Sequence, residues 1–295
     1  TGPDRTEYNA FITNYTGSGF NWGDANHTTR LYQLMYTADP YEAKRKLFSL
    51  FEDIFSVNRD TDRDITYKDV YELHTLLFEN MFWNYQTLVK KVLYNNGVSG
   101  DYAAGKFLDL FNQKDAKNPN ENYARELLQL FLMGEYKPFE SKDNSDVRNY
   151  EESDVKSLSR ILTGLSSDAV THAISFNLAN HYSGWTLAFL TGSISGSFPY
   201  YNSASGTIDP MLILNPVNGN NGLTDNAIEY IFAQRSDAIA LFLADRIARF
   251  YIQDHPSRAE LDFIAQIIKN NNFEMLPSIK AILALDIIYA DNSMN

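Results

Sequence analysis

The sequence predicts an all-α fold: a multi-helix single domain over residues 35–295, preceded by an extended arm over 1–34 and interrupted by an irregular insertion at about 165–222. Three observations carry this reading. Apolar residues recur at three- and four-residue steps along most of the chain, the period of a helix with one buried face. Punctuation suited to helix ends surrounds those stretches, with Asn118-Pro119 ahead of one and Gly134 behind it. The segment that breaks the period is rich in Gly, Ser, Asn and Tyr, the composition of turns, with room for one small hairpin.

Residues 1–34 hold Gly, Asn, Thr and Tyr without sustained period. In YEAKRKLFSLFEDIFSV (41–57), Leu47, Phe48, Leu50, Phe51, Ile54 and Phe55 share one helical face. The stretch 70–95 is apolar on several sides and predicts one long or two broken core helices. Helices follow over 118–164, and after the insertion TDNAIEYIFAQRSDAIALFLADRIARFYI (224–252), RAELDFIAQIIKNNN and PSIKAILALDIIYA supply three more. No internal repeat is present.

Composition limits the function classes. A chain of 295 residues, 44% hydrophobic and 14% aromatic, can bury a sizeable core. A formal charge of −12 argues against a nucleic-acid surface, which needs clustered Lys and Arg. No apolar run approaches the roughly 20 residues of a membrane span. Zero cysteines exclude disulfides and thiolate chemistry without fixing a compartment. The chain opens at Thr1 without a signal-like segment, as expected of a processed or trimmed product.

Candidate chemistry concentrates in two places. In NPNENYARELLQLFLMGEY, Asn118 is placed to cap, Pro119 to occupy the first helical position and Glu121 the third, where a capping-box carboxylate belongs. Tyr123, Ala124, Leu127, Leu128, Leu130 and Phe131 share the apolar face. Asn122, Arg125, Glu126 and Gln129 share the other, and Glu121–Arg125 is a favourably ordered i,i+4 pair. Asn122, Arg125 and Glu126 exceed what a helix end requires, and are the candidate ligand-binding residues.

NRDTDRDITYKD (58–69) scans against a calcium loop: Asn58, Asp60, Asp62 and Asp69 fall where oxygen ligands belong, and Asp64 where a backbone carbonyl does. Arg63 replaces the glycine of the sharp turn, and Asp69 is shorter than the usual glutamate. The alternative is a solvated acidic turn with Thr66 or Asp64 capping the next helix. The histidines at 27, 74, 172, 181 and 255 form no close-spaced ligand pair.

NPNENYARELLQLFLMGEY, with YEESDVKSLSRILTG after it, resembles the signature of the bacterial family known as domain of unknown function 1800. The resemblance runs through Pro119, Asn120, Glu121, Asn122, Tyr123, Ala124, Arg125, Glu126, Leu127 and Gly134, then Tyr150, Asp154, Val155, Arg160, Thr163 and Gly164. Weaker similarity covers most of the chain from about residue 35. Leu165 stands where the family has Trp, and His181, Tyr182, Gly184 and Thr186 occupy a segment that resembles His-Asp-x-Gly-x-Lys without its acid and lysine. The resemblance implies a secreted or envelope-associated protein, often encoded beside a partner similar to the alkaline phosphatase and sulfatase superfamily. It implies no reaction.

Two functions are therefore expected. One is an extracytoplasmic binding or assembly module, whose 19 Tyr and 19 Phe would suit carbohydrate, a protein partner or a homo-oligomeric contact. The other is a hydrolase-like enzyme with Glu121, Arg125, Glu126, Asp154 and His181 as candidate catalytic groups, with calcium as the candidate ion.

Overall fold

The computed structural model describes residues 42–57, 64–93, 102–111, 118–138, 148–168, 170–171, 174–176, 178–180, 182, 187–190, 201–202, 207–208, 225–252 and 255–285. The arm over 1–34 lies outside them. Helices dominate the described residues, as the apolar period predicts.

Helix α1 (Glu42–Ile54) buries the predicted face: Leu47, Phe48, Leu50, Phe51, Ile54 and Phe55 are almost wholly inaccessible. The apolar stretch after it breaks into α2 (Tyr67–Asn80) and α3 (Tyr85–Leu93), the second of the two forms expected. A short α4 (Tyr102–Phe107), unforeseen because its few residues cannot display a period, packs against α2 and α3. The turn between α2 and α3 is pinned by the far end of the chain. Tyr85 N–H donates to the Phe273 carbonyl at 2.9 Å, and the Trp83 carbonyl accepts from Met275 N–H at 3.1 Å.

The signature helix departs from its expected form in three ways. It begins as α5 (Asn122–Glu126), not at Pro119, and Glu121 precedes it with no side-chain cap; Asn120 Oδ1 instead accepts from Asn122 N–H at 2.8 Å. From Leu127 to Leu132 it widens into a π turn, in which Met133 N–H reaches back five residues to the Leu128 carbonyl at 2.9 Å. The Phe131 carbonyl in that turn accepts the hydroxyl of Tyr85, which gives a fully buried phenol its partner. The widened turn also rotates Leu130 out of the apolar face, leaving it 38% exposed while Phe131 stays buried. Gly134 ends the segment at φ 70°, the left-handed conformation in which a Cβ is costly.

Helix α6 (Glu152–Ile161) leads into the insertion, where the expected single hairpin is part of a larger arrangement. Strands β1 (Leu165–Ser167) and β2 (Ile174–Phe176) pair antiparallel, with Ser166 opposite Ser175. Strands β3 (Leu187–Ala188), β4 (Tyr201–Asn202) and β5 (Thr207–Ile208) form a separate sheet in the order β3-β5-β4. α7 (Asp225–Tyr251) then crosses the molecule against α1 and α3, kinked at Arg235, where φ −131° and ψ 25° leave the helical region. α8 (Arg258–Asn270) packs along α7, and α9 (Met275–Leu283) packs on α8. One cluster of buried side chains draws on every helix from α1 to α9, with Phe189 and Leu190 of the insertion joined to it. Among the described residues, no helix is long and apolar enough to cross a membrane.

Candidate functional site

The polar face of the signature helix is directed at its neighbours. Asn122 Nδ2 donates to the Leu108 carbonyl at 3.0 Å, tying α5 to the turn after α4. Arg125 makes a two-pronged contact with Glu152 at the start of α6: Nη1 donates to Oε2 at 2.9 Å and Nη2 to Oε1. Nη2 also reaches Glu121 Oε2 at 3.5 Å, so the expected i,i+4 pair forms but is the looser of the two. This fork is the geometry in which guanidinium and carboxylate match best. Its hydrogen bonds push the Glu152 carboxyl below its ordinary range and the Arg125 guanidinium further above its own. Glu126 beside it is half-buried, and burial raises its carboxyl against the opposing pull of Arg125.

Asp154 is buried and serves the fold. Its Oδ2 accepts from Glu151 N–H at 2.8 Å at the start of α6, and its Oδ1 accepts from Leu190 N–H at 2.7 Å, across 36 residues. Two further signature residues, Arg160 on α6 and Thr163 just after it, act alike. Thr163 Oγ1 donates to the Arg160 carbonyl at 2.7 Å and accepts from Tyr182 N–H at 2.8 Å, while the Arg160 guanidinium lies 5.4 Å from the Tyr182 ring centre. Ser157 adds a bond to the Ala188 carbonyl at 2.6 Å. The α6 signature thus holds the insertion against the helical body. His181 lies outside the described residues.

Of the candidate calcium ligands, Asn58, Asp60 and Asp62 also lie outside the described residues. Asp64 is exposed at φ 58°. Asp69 is only 2% exposed, and its Oδ2 accepts from Thr66 N–H at 2.7 Å and from Thr66 Oγ1 at 2.6 Å. Thr66 Oγ1 accepts in return from Asp69 N–H at 3.3 Å. That is a capping box, so Thr66 caps α2 as the alternative reading expected, and the Asp69 oxygen nearest the helix start is engaged there.

A feature the sequence did not announce lies elsewhere. The segments around 137 and 148, the kink of α7 and one face of α8 enclose a cleft of about 530 Å³. Lys137, Arg148, Arg235, Arg258 and Lys269 line it with Asp237 and Asp262, a cationic surplus in an acidic chain. Lys269 pairs with Asp237, Arg258 Nε with Asp262 at 2.9 Å, and Arg148 with Glu135 at 3.6 Å. Arg235 Nε donates to the Asn149 carbonyl at 2.9 Å and Nη1 to the Gln234 carbonyl at 3.2 Å. Gln234 Nε2 is buried and meets no acceptor among the described residues. Asn122, Arg125, Glu126 and Asp154 are not among the lining residues. Each contributing segment is unremarkable alone; the one sequence signal is Gln-Arg-Ser-Asp (234–237), which interrupts the apolar run of α7.

These features define a helical protein whose most distinctive polar residues clamp one element to the next, with a charged cleft apart from them. A family model described as a protein of unknown function, DUF1800, matches residues 22–294, and the chain belongs to that family. No curated protein and no solved structure matches the chain.

Proposed function

We propose that this protein is a binding or assembly module, working outside the cytoplasm as the signature's resemblance implies, rather than a hydrolase. The observation that supports this is the Arg125–Glu152 fork. In the enzyme reading, Arg125 is the positive group that would bind substrate or stabilise developing charge, and a guanidinium already gripped by a carboxylate on both prongs is poorly placed for either role. Asn122 and Asp154 are likewise engaged, with the turn after α4 and with the insertion respectively. A rigid surface is what a binding module needs, and the α2–α3 turn presents Trp83, 53% exposed, beside Leu276, 38% exposed, with Lys91 Nζ 5.1 Å from the indole centre.

The test is a double-mutant cycle in urea unfolding, paired with a turnover assay. Arg125→Ala and Glu152→Ala should each cost about 0.5–1 kcal/mol, and the double variant little more than either, since the pair is partly exposed. The wild type should turn over none of a panel of ester, glycoside and phosphoester substrates. Turnover that disappears in Glu126→Gln without loss of stability would overturn the reading.

A further inference from the structure

We infer that the cleft lined by α7, α8, Lys137, Arg148 and Asn149 binds a compact oxyanion, a carboxylate, sulfate or phosphate group, carried by an acidic small molecule. The inference concerns the cleft alone, and holds whether or not the protein transforms what it binds.

Charge is the first support. Asp237, Asp262 and Glu135 each take one cation, Lys269, Arg258 and Arg148 respectively, which leaves Lys137 and Arg235 without a carboxylate among the described residues. Arg235 is held by two carbonyls, acceptors that fix a guanidinium in place without cancelling its charge. Its Nη2 makes no hydrogen bond among the described residues.

Unsatisfied donors are the second. Gln234 Nε2, next in the chain to that guanidinium, is buried without an acceptor among the described residues, an arrangement native proteins avoid unless a ligand or ordered solvent completes it. Gln234, Arg235 and the exposed Lys137 all line the cleft, so an oxyanion held there would lie beside the Arg235 guanidinium and the Lys137 ammonium. With φ −131° and ψ 25° at Arg235, the backbone departs from the helix within the stretch of α7 that lines the cleft. A volume of about 530 Å³ is in the range of sites for small organic ligands and exceeds what a bare ion needs.

Isothermal titration calorimetry at low ionic strength tests this with sodium sulfate, sodium phosphate, galacturonate and, as neutral control, galactose. At least one oxyanion probe should saturate, with a Kd on the order of 1 mM or tighter, and galactose should give no heat. Gln234→Glu, which keeps the side-chain size but replaces the donor with a negative charge, should weaken binding about tenfold, and Lys137→Gln at the exposed edge about threefold. Thermal unfolding monitors the fold of both variants; should Gln234→Glu fail to fold, Lys137→Gln carries the test. Saturation by sulfate or phosphate assigns the site to those groups, and saturation by galacturonate alone assigns it to a carboxylate. The inference is overturned if no oxyanion probe saturates the wild type, if galactose binds as well as galacturonate, or if folded variants bind with unchanged affinity.

Discussion

Arg125 and Glu152 show how far a residue's role depends on its partner. On the helix surface Arg125 has Glu121 within reach, yet it directs both prongs to a carboxylate 27 residues later in the chain. His74 is a second case at this scale. It lies on α2 with the Phe48 ring 5.8 Å away and Glu52 Oε1 3.3 Å from Nδ1, and burial pushes its pKa down from 6.5 to about 4. Between pH 4 and 6.5 the unfolded chain therefore binds the proton that the folded protein refuses. The stability contributed by keeping His74 neutral is complete above pH 6.5 and is lost as pH falls toward 4, by on the order of 2 kcal/mol at pH 5. Urea unfolding at pH 7.5 and pH 5 should show this loss, and His74→Gln should reduce it.

At the scale of the element, the signature helix is two structures joined end to end. Its α-helical first part presents Asn122 and Arg125 to α4 and α6, and its π turn frees the Phe131 carbonyl for Tyr85. Gly134 closes it at φ 70°, where an alanine would strain the backbone. Gly134→Ala should therefore destabilise by about 1 kcal/mol, whereas Leu130→Gln, on the face the π turn exposes, should change stability by less than about 0.5 kcal/mol. Equal effects of the two in chemical denaturation would show that the π turn is absent in solution. The period alone put Leu130 in the core, because it assumes 3.6 residues in every turn.

Across the whole molecule, α6 and the turn after it join the helical body to the insertion through the Asp154 bond to Leu190, the Ser157 bond to Ala188 and the Thr163 bond to Tyr182. Asp154 also accepts from Glu151 N–H, so Asp154→Ala removes the acceptor from two N–H groups at once. It should cost about 2–3 kcal/mol. Hydrogen exchange at Leu190 should accelerate by more than exchange in α8, which packs elsewhere on the body. Uniform acceleration would mean that the insertion and the body unfold as one unit.

Helix content, the core face of α1 and the Gly134 stop were legible from the sequence, because each depends on residues within a few turns of one another; the division of α2 from α3 and the Thr66 cap were each one of two forms the sequence left open. Family membership was legible for the same reason, since the signature is contiguous. The partners of Arg125, Asp154 and Arg235 were not, for these lie 27, 36 and 86 residues away. Nor was the cleft, whose described walls come from four separated segments, one of them the kinked stretch of an otherwise apolar helix. Periodicity and capping are local, so the sequence by itself determined which elements form. The pairing of charges and the enclosure of a cavity require the chain to return on itself, so only the tertiary structure decided that the signature charges act as clamps and where a ligand could be held.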